Sequence, residues 1–423
     1  MDNKPKLSVE TPSGDKPKDA YGMVYILFFL VGLVQVLPYT FFVTANDYWM
    51  YKFRNTSLED ADSSQRTVLQ TQFSPSLTIT LQLSTISFLF LNLIFGHKYP
   101  IKLKLFGPPI IAQTCYVLAA IFIHIDTDTW QEGFFAVTII IVAVVTAMNA
   151  VFGMAIYSSM STFPARYLGA YLGGQGMAGI FTACIQIISL AVSITRETRA
   201  LVYFWVANAT IAFTLLLMAV IMRRNRFYLF YMENYEQRKG KMLSFRQILD
   251  IFKVIWPGPG IMFFYLATTN IVHPAITSLV VSEGEGNGPW NDVYFVPVIT
   301  FALYAILDYV GRTISLYLKL NFRAEWIVGF VAARFFIFVP LFLLCNAQPR
   351  KHLPVVFDQD YQFIIIMIAF AVTNGYLVNM STLIIQKLAP PEKLEDAYHV
   401  NMVASGTILG ALSFVSFVSV GII

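Results

Sequence analysis

Apolar runs of about 20 residues, the length that crosses a bilayer as a helix, recur along the chain with polar stretches between them. Eleven such runs stand out: Tyr21–Thr44, Pro75–Phe95, Leu105–Ile125, Gly133–Tyr157, Leu168–Ile194, Leu201–Met222, Ile248–Val281, Val293–Lys319, Ala324–Cys345, Tyr361–Gln386 and Val400–Ile423. The seventh, eighth and tenth are long enough to tilt or to extend past the bilayer. The pattern predicts an all-α polytopic membrane protein with eleven transmembrane helices. A polar tail over 1–20 precedes the first run, which is too long for a signal-peptide core and has no small-residue cleavage site after it. The longest basic interruption, 223–247, divides six spans (21–222) from five (248–423), as a hinge divides two bundles.

Composition agrees with this reading. Of 423 residues, 57% are hydrophobic and only 13% charged, about half the charged fraction of soluble domains. Placing the N-terminus in the cytoplasm puts nineteen lysines and arginines in the tail and even-numbered loops, against seven in the odd-numbered ones. By the positive-inside rule the N-terminus is cytoplasmic and, with eleven spans, the C-terminus extracellular. The net charge of +4 follows from this placement and calls for no nucleic-acid partner. The predicted first outer loop, about 45–74, carries the glycosylation sequon Asn55-Thr56-Ser57, usable only on the outer side. Cys115, Cys184 and Cys345 fall in separate runs, which argues against a disulfide framework or a zinc site.

The chemistry is concentrated in polar residues inside the spans. Asp308 and Arg312 stand four residues apart in the eighth run, so their side chains share one helix face. Each costs about 2.5–3.5 kcal/mol near the centre of a membrane helix, so the pair belongs in a protein interior or a wet cavity. It reads either as a solute site or as a salt bridge locking two helices. Phe301 and Ala305 lie on the same stripe. In the first run Val36, Tyr39, Thr40 and Val43 form one face around Pro38, with Gln35 just before it. Gly173-Gly174-Gln175-Gly176-Met177-Ala178-Gly179 in the fifth surrounds one amide with small residues that admit a neighbouring helix. Gln82 and Thr85, Asn149, His273-Pro274, Arg334 and Asn374-Gly375 are further buried polar candidates. For Arg334 cation–π packing or a bond to a loop carbonyl is the expected role, and a packed neutral ring is the more common role for His273. No phosphate-binding loop, zinc helix or second membrane aspartate is present, so nothing in the chain performs covalent chemistry.

Together these segments resemble the equilibrative nucleoside transporters. The similarity is carried in order by GLVQVLPYTFFVTANDY (32–48), GGQGMAG (173–179), DYVGR (308–312), ARFFIFVP (333–340) and FAVTNGYL (370–377). The resemblance implies a major-facilitator-like bundle of six and five helices that alternates access around a midplane site. It implies passage of nucleosides such as adenosine and uridine down their gradient at the plasma membrane, without cofactor or obligate protein partner. By the same analogy Asp308 and Arg312 engage ribose hydroxyls, Gln175 meets the base, and Phe301, Val36, Tyr39, Gln82 and Thr85 shape the pocket, with Val43 and His273 beside them. The chain departs from the family pattern at Tyr39-Thr40 (commonly Trp-Asn), Gln82 (apolar in mammalian members), His273 (an aromatic) and Ala305 (Asn), which makes the cavity more polar. A proton-coupled carrier, a non-transporting receptor and an intramembrane enzyme are the rival readings.

Overall fold

The computed structural model of the chain describes residues 17–56, 67–192, 195–236, 242–318, 323–350 and 352–413. Helices make up nearly all of it: α1 Met23–Thr44, α2 Asn46–Lys52, α3 Val68–Phe95, α4 Ile101–Ile123, α5 Gln131–Met160, α6 Ala165–Ala191, α7 Arg196–Arg224, α8 Arg226–Glu236, α9 Phe245–Ile255, α10 Pro257–Val272, α11 Tyr304–Tyr317, α12 Ala324–Leu343, α13 Asp360–Leu383, α14 Ile385–Leu388 and α15 Leu394–Leu412. Among the described residues nine helices are long and apolar enough to cross a membrane, and a bent pair brings the number to ten. The eleventh predicted run continues past α15 into 414–423, outside the described residues.

The bent pair corrects the seventh predicted run. Instead of one helix over Ile248–Val281, α9 and the helical stretch Pro257–Leu279 meet at 72°. Pro257 has no N–H to continue the α9 ladder, so it starts a new helix. Upstream of it α9 is amphipathic: Ile251 and Ile255 are buried while Phe245, Leu249 and Asp250 face outward. A capping box fixes its start, with Ser244 Oγ accepting from the Gln247 backbone and Gln247 Oε1 accepting from Ser244 N. The same device, Thr67 with Gln70, starts α3 well before the predicted Pro75. At the other end α10 stops at Val272, and His273, ahead of Pro274, is extended. The eighth run also differs from a plain α-helix. It begins with π-helical turns, Trp290–Tyr294 and Val296–Leu303, and tightens into α11 only at Tyr304. The predicted basic linker 223–247 holds α8 and the first residues of α9.

Glycines set the closest crossings. A Cβ on Gly174 of α6 would stand 1.9 Å from the Phe29 carbonyl oxygen of α1, and one on Gly375 of α13 would stand 1.8 Å from the Asp308 carbonyl oxygen of α11. Each half of the chain thus has one pair of helices packed backbone to backbone. The halves meet where α6 packs on α11 and α3 on α15. On the side that carries the N-terminus, an apolar core shared by both halves closes the molecule, with Phe28, Tyr157, Tyr167 and Phe163 from the first and Met380 and Tyr398 from the second. Polar bonds add to the closure: Tyr235 donates to Glu395 at 2.8 Å, and Ser158 Oγ lies 2.8 Å from His399 Nε2.

Candidate functional site: a central cavity and a buried charge network

A cavity of about 680 Å³ opens between the halves. That volume falls in the range of about 300–1,000 Å³ common for small-molecule sites. Its walls come from the second half of α1, the first half of α3, the middle of α4 and α5, the end of α10 and the end of α15. Since successive spans alternate direction, the ends of α1, α10 and α15 and the start of α3 all lie away from the N-terminal side. The cavity therefore occupies the half of the molecule opposite the aromatic closure.

Of the residues given a place in the pocket by the family resemblance, Gln82, Thr85 and His273 line this cavity directly, and so does Asn149, a further polar candidate from the sequence. Gln82 Nε2 donates to Ser413 Oγ at 2.9 Å, which joins α3 to the end of α15. The His273 ring stacks on Tyr304 at 3.9 Å between centroids, meets the edge of Phe301 at 5.9 Å, and places Nδ1 2.9 Å from Thr277 Oγ1. Phe301 thus stands behind His273. Val36 is half-buried and packs with the apolar core of the first half. The side chains of Tyr39 and Val43 lie outside the described residues. Asn55 is exposed at the end of the short segment after α2.

Asp308, Arg312 and Gln175 stand one layer further in and do not line the cavity. Arg312 Nε donates to Asp308 Oδ2 at 2.7 Å, and Nη1 reaches the Leu172 carbonyl of α6 at 3.5 Å. Gly176 makes room for this approach, because a Cβ there would meet Arg312 Cδ at 2.5 Å. The other Asp308 oxygen accepts from Asn374 Nδ2 at 3.4 Å, and the same amide nitrogen is 2.5 Å from the Tyr304 hydroxyl. Asn374 Oδ1 is held in turn by Thr269 at 2.9 Å and by Arg334 Nη2 at 3.0 Å. Arg334 takes the cation–π role read from the sequence, its guanidinium lying over the rings of Phe370 of α13 (4.7 Å) and Phe338 of α12 itself (5.3 Å), while the carbonyl it bonds at 3.2 Å, that of Phe370, belongs to a helix rather than a loop. A continuous chain of contacts therefore links the cavity wall to the ion pair, running His273, Tyr304, Asn374, Asp308.

The first half repeats this arrangement with an amide. Gln35 lines the cavity, and its Oε1 accepts from Gln175 Nε2 at 3.1 Å and from the Tyr171 hydroxyl. Asn149 Nδ2 fixes the backbone beneath it by donating to Gln35 O at 3.1 Å. Both lone-pair directions of Oε1 are used, so the orientation of the amide is set. Among the described residues no hydrogen bond uses Gln35 Nε2, which leaves this donor for a solute. Asn270 also lines the cavity, and its Nδ2, buried behind the wall, has no partner among the described residues. From the sequence Gln35 reads only as a neighbour of Pro38, and Asn270 does not stand out. A polar amide one turn before a helix-breaking proline was the available signal for the first; the second has none of comparable strength.

Helices packed around a central cavity give the chain a fold of the major-facilitator type. The fold matches the major facilitator superfamily proton:xylose symporter with a TM-score of 0.59 over 93% of this chain and 87% of that one, at 10% identity. It matches a bacterial homologue of the iron transporter ferroportin at 0.56 over 94% and 96%, at 12% identity. Within that class the chain belongs to the nucleoside transporter family, whose profile matches residues 139–239 and 232–419. Curated relatives include rat equilibrative nucleoside transporter 3, 26% identical over 92% of this chain and 87% of its own, and human equilibrative nucleoside transporter 1, 28% identical over 90% and 93%. Human equilibrative nucleoside transporter 2 is 27% identical over 91% and 94%.

Proposed function

We propose that the chain is a facilitative carrier of purine and pyrimidine nucleosides, adenosine and uridine among them, which it equilibrates across the plasma membrane by alternating access. It has eleven spans in a six-plus-five arrangement with a cytoplasmic N-terminus. The observation that carries this reading is the contact chain from His273 through Tyr304 and Asn374 to Asp308. A nucleoside entering the cavity meets His273 and Gln35 first. Displacing the His273–Tyr304 stack then opens a path to the charge pair. Asp308 accepts hydrogen bonds from the vicinal ribose hydroxyls, and Arg312 donates to sugar oxygens. The base lies against Gln35, whose free Nε2 and adjoining Gln175 amide read its edge, with Gln82, Thr85, Asn270 and Phe301 closing around it and Tyr39, Val36 and Val43 supplying the α1 face.

Nothing in this mechanism consumes energy. The solute's gradient sets the direction, and the two closures, one around Tyr157 and Tyr398 and one above the cavity, exchange. The test is uptake of labelled uridine by reconstituted protein: saturable entry that stops at the external concentration supports the proposal, and no acceleration over protein-free vesicles overturns it.

A further inference from the structure

A second binding region lies on the N-terminal side, away from the central cavity. A polar recess of about 370 Å³ is walled by Lys102 and Lys104 at the start of α4 and by Tyr235, Glu395 and Asp396 from α8 and α15. Beside it an apolar groove of about 490 Å³ runs between α3, α4 and α5, lined by exposed side chains such as Leu91, Phe95, Leu103 and Ile111. The two share Asn92, Gly96, Tyr99 and Lys104 in their walls, so one occupant can reach from groove to recess.

The groove is set in helices that cross the bilayer, so what fills it comes from the bilayer and has a long apolar part. The recess decides the head group, because it holds both signs of charge. Lys104 is buried and its ammonium donates to the Gly96 carbonyl at 3.0 Å, with valences left for an anion. Opposite, Glu395 takes the Tyr235 hydroxyl at 2.8 Å, and among the described residues no ion pair holds either carboxylate. Burial and the adjacent Glu395 push the Asp396 carboxyl up to about 6, against a smaller opposing pull from Lys393. A purely anionic head group satisfies Lys104 and crowds the carboxylates. A choline head group brings a cation that has no N–H to donate. A phosphate joined by a short link to a primary ammonium satisfies both sides at once.

We infer that the recess and groove together bind a phospholipid with a primary-amine head group of the phosphatidylethanolamine class, its phosphate at Lys104, its ammonium at Glu395 and Asp396, and an acyl chain along the groove. The recess takes its walls from α3, α4 and α8 of the first half and α15 of the second. The bound lipid bridges the halves and favours the state in which this side is closed.

The test is lipid retention by the purified full chain, followed by native mass spectrometry with dioleoyl phosphatidylethanolamine, its choline counterpart and phosphatidylglycerol supplied in parallel. The ethanolamine lipid is retained several-fold over both others, and Asp396→Asn lowers its retention roughly tenfold to a hundredfold, the loss expected for one hydrogen bond to a charged group. Lys104→Met acts in the same direction. Should that variant fail to fold, Asp396→Asn decides alone, since its side chain keeps its shape. Equal retention of the choline lipid, stronger retention of phosphatidylglycerol, or retention unmoved in Asp396→Asn each overturns the inference.

Discussion

Arg312 sits one helical turn beyond Asp308, with Nε 2.7 Å from Oδ2 and side chains only 12% and 9% exposed. The two are neighbours on α11 itself, so the ion pair does not by itself lock two helices together. Its ties to other helices run through Leu172 and Asn374. Removing one partner of such a buried pair costs about 3–5 kcal/mol, while replacing both with neutral residues is often close to neutral. Asp308→Ala therefore lowers both the melting temperature and the uptake. The double variant Asp308→Asn with Arg312→Gln keeps a near-normal melting temperature and still fails to transport, which separates binding from folding. Uptake intact in that double variant contradicts the assignment of the pair to the solute.

Gln35 is predicted to matter more to a nucleoside than Gln175 does. Gln35→Leu removes the donor on the cavity wall and raises the half-saturation concentration about threefold to tenfold, one neutral hydrogen bond's worth, with little change in maximal rate. Gln175→Leu frees the Gln35 amide from one of its two partners and has a smaller effect. Because the two amides bond each other, their effects are not additive. Uptake kinetics on the two single variants and the double variant check the order.

Gly375 supports the site by letting α13 lie against α11. A Cβ placed 1.8 Å from the Asp308 carbonyl oxygen forces the helices apart and takes Asn374 away from Asp308. Gly375→Ala loses transport and melts several degrees lower. Gly329→Ala, where a Cβ meets nothing within 4 Å, leaves both unchanged. Uptake and thermal melting of the pair check this.

The proposed orientation puts Asn55 outside the cell. Expression in a glycosylating host gives a species that shifts on enzymatic deglycosylation, and Asn55→Gln abolishes the shift. A shift that persists in Asn55→Gln, or none in the parent, counts against that placement of the first loop.

How much of this was legible in the letters depends on whether the physics is local. Apolar run length is local, and most of the described spans lie where the runs put them. The i, i+4 spacing of Asp308 and Arg312 is also local, and it delivers the ion pair. The bend before α10 was locally marked too, by Pro257-Gly258-Pro259-Gly260, yet the apolar residues of α9 blended with those of α10 into one run. What no run or spacing reveals is which residues meet across helices. Arg334, Asn374 and Asp308 come from three different helices, and only their packing makes them one network. For the same reason Gln175, alone among glycines in its own segment, drew attention that the wall residue Gln35 carries in three dimensions.

The most direct test of the central claim is counterflow in proteoliposomes loaded with unlabelled uridine and given labelled uridine outside, with and without an imposed pH gradient. The account predicts a transient overshoot of label that depends on internal uridine, is the same with and without the proton gradient, and is absent in the Asp308→Asn, Arg312→Gln double variant. Steady accumulation driven by the pH gradient in vesicles without internal uridine, or no protein-dependent flux at all, would contradict it.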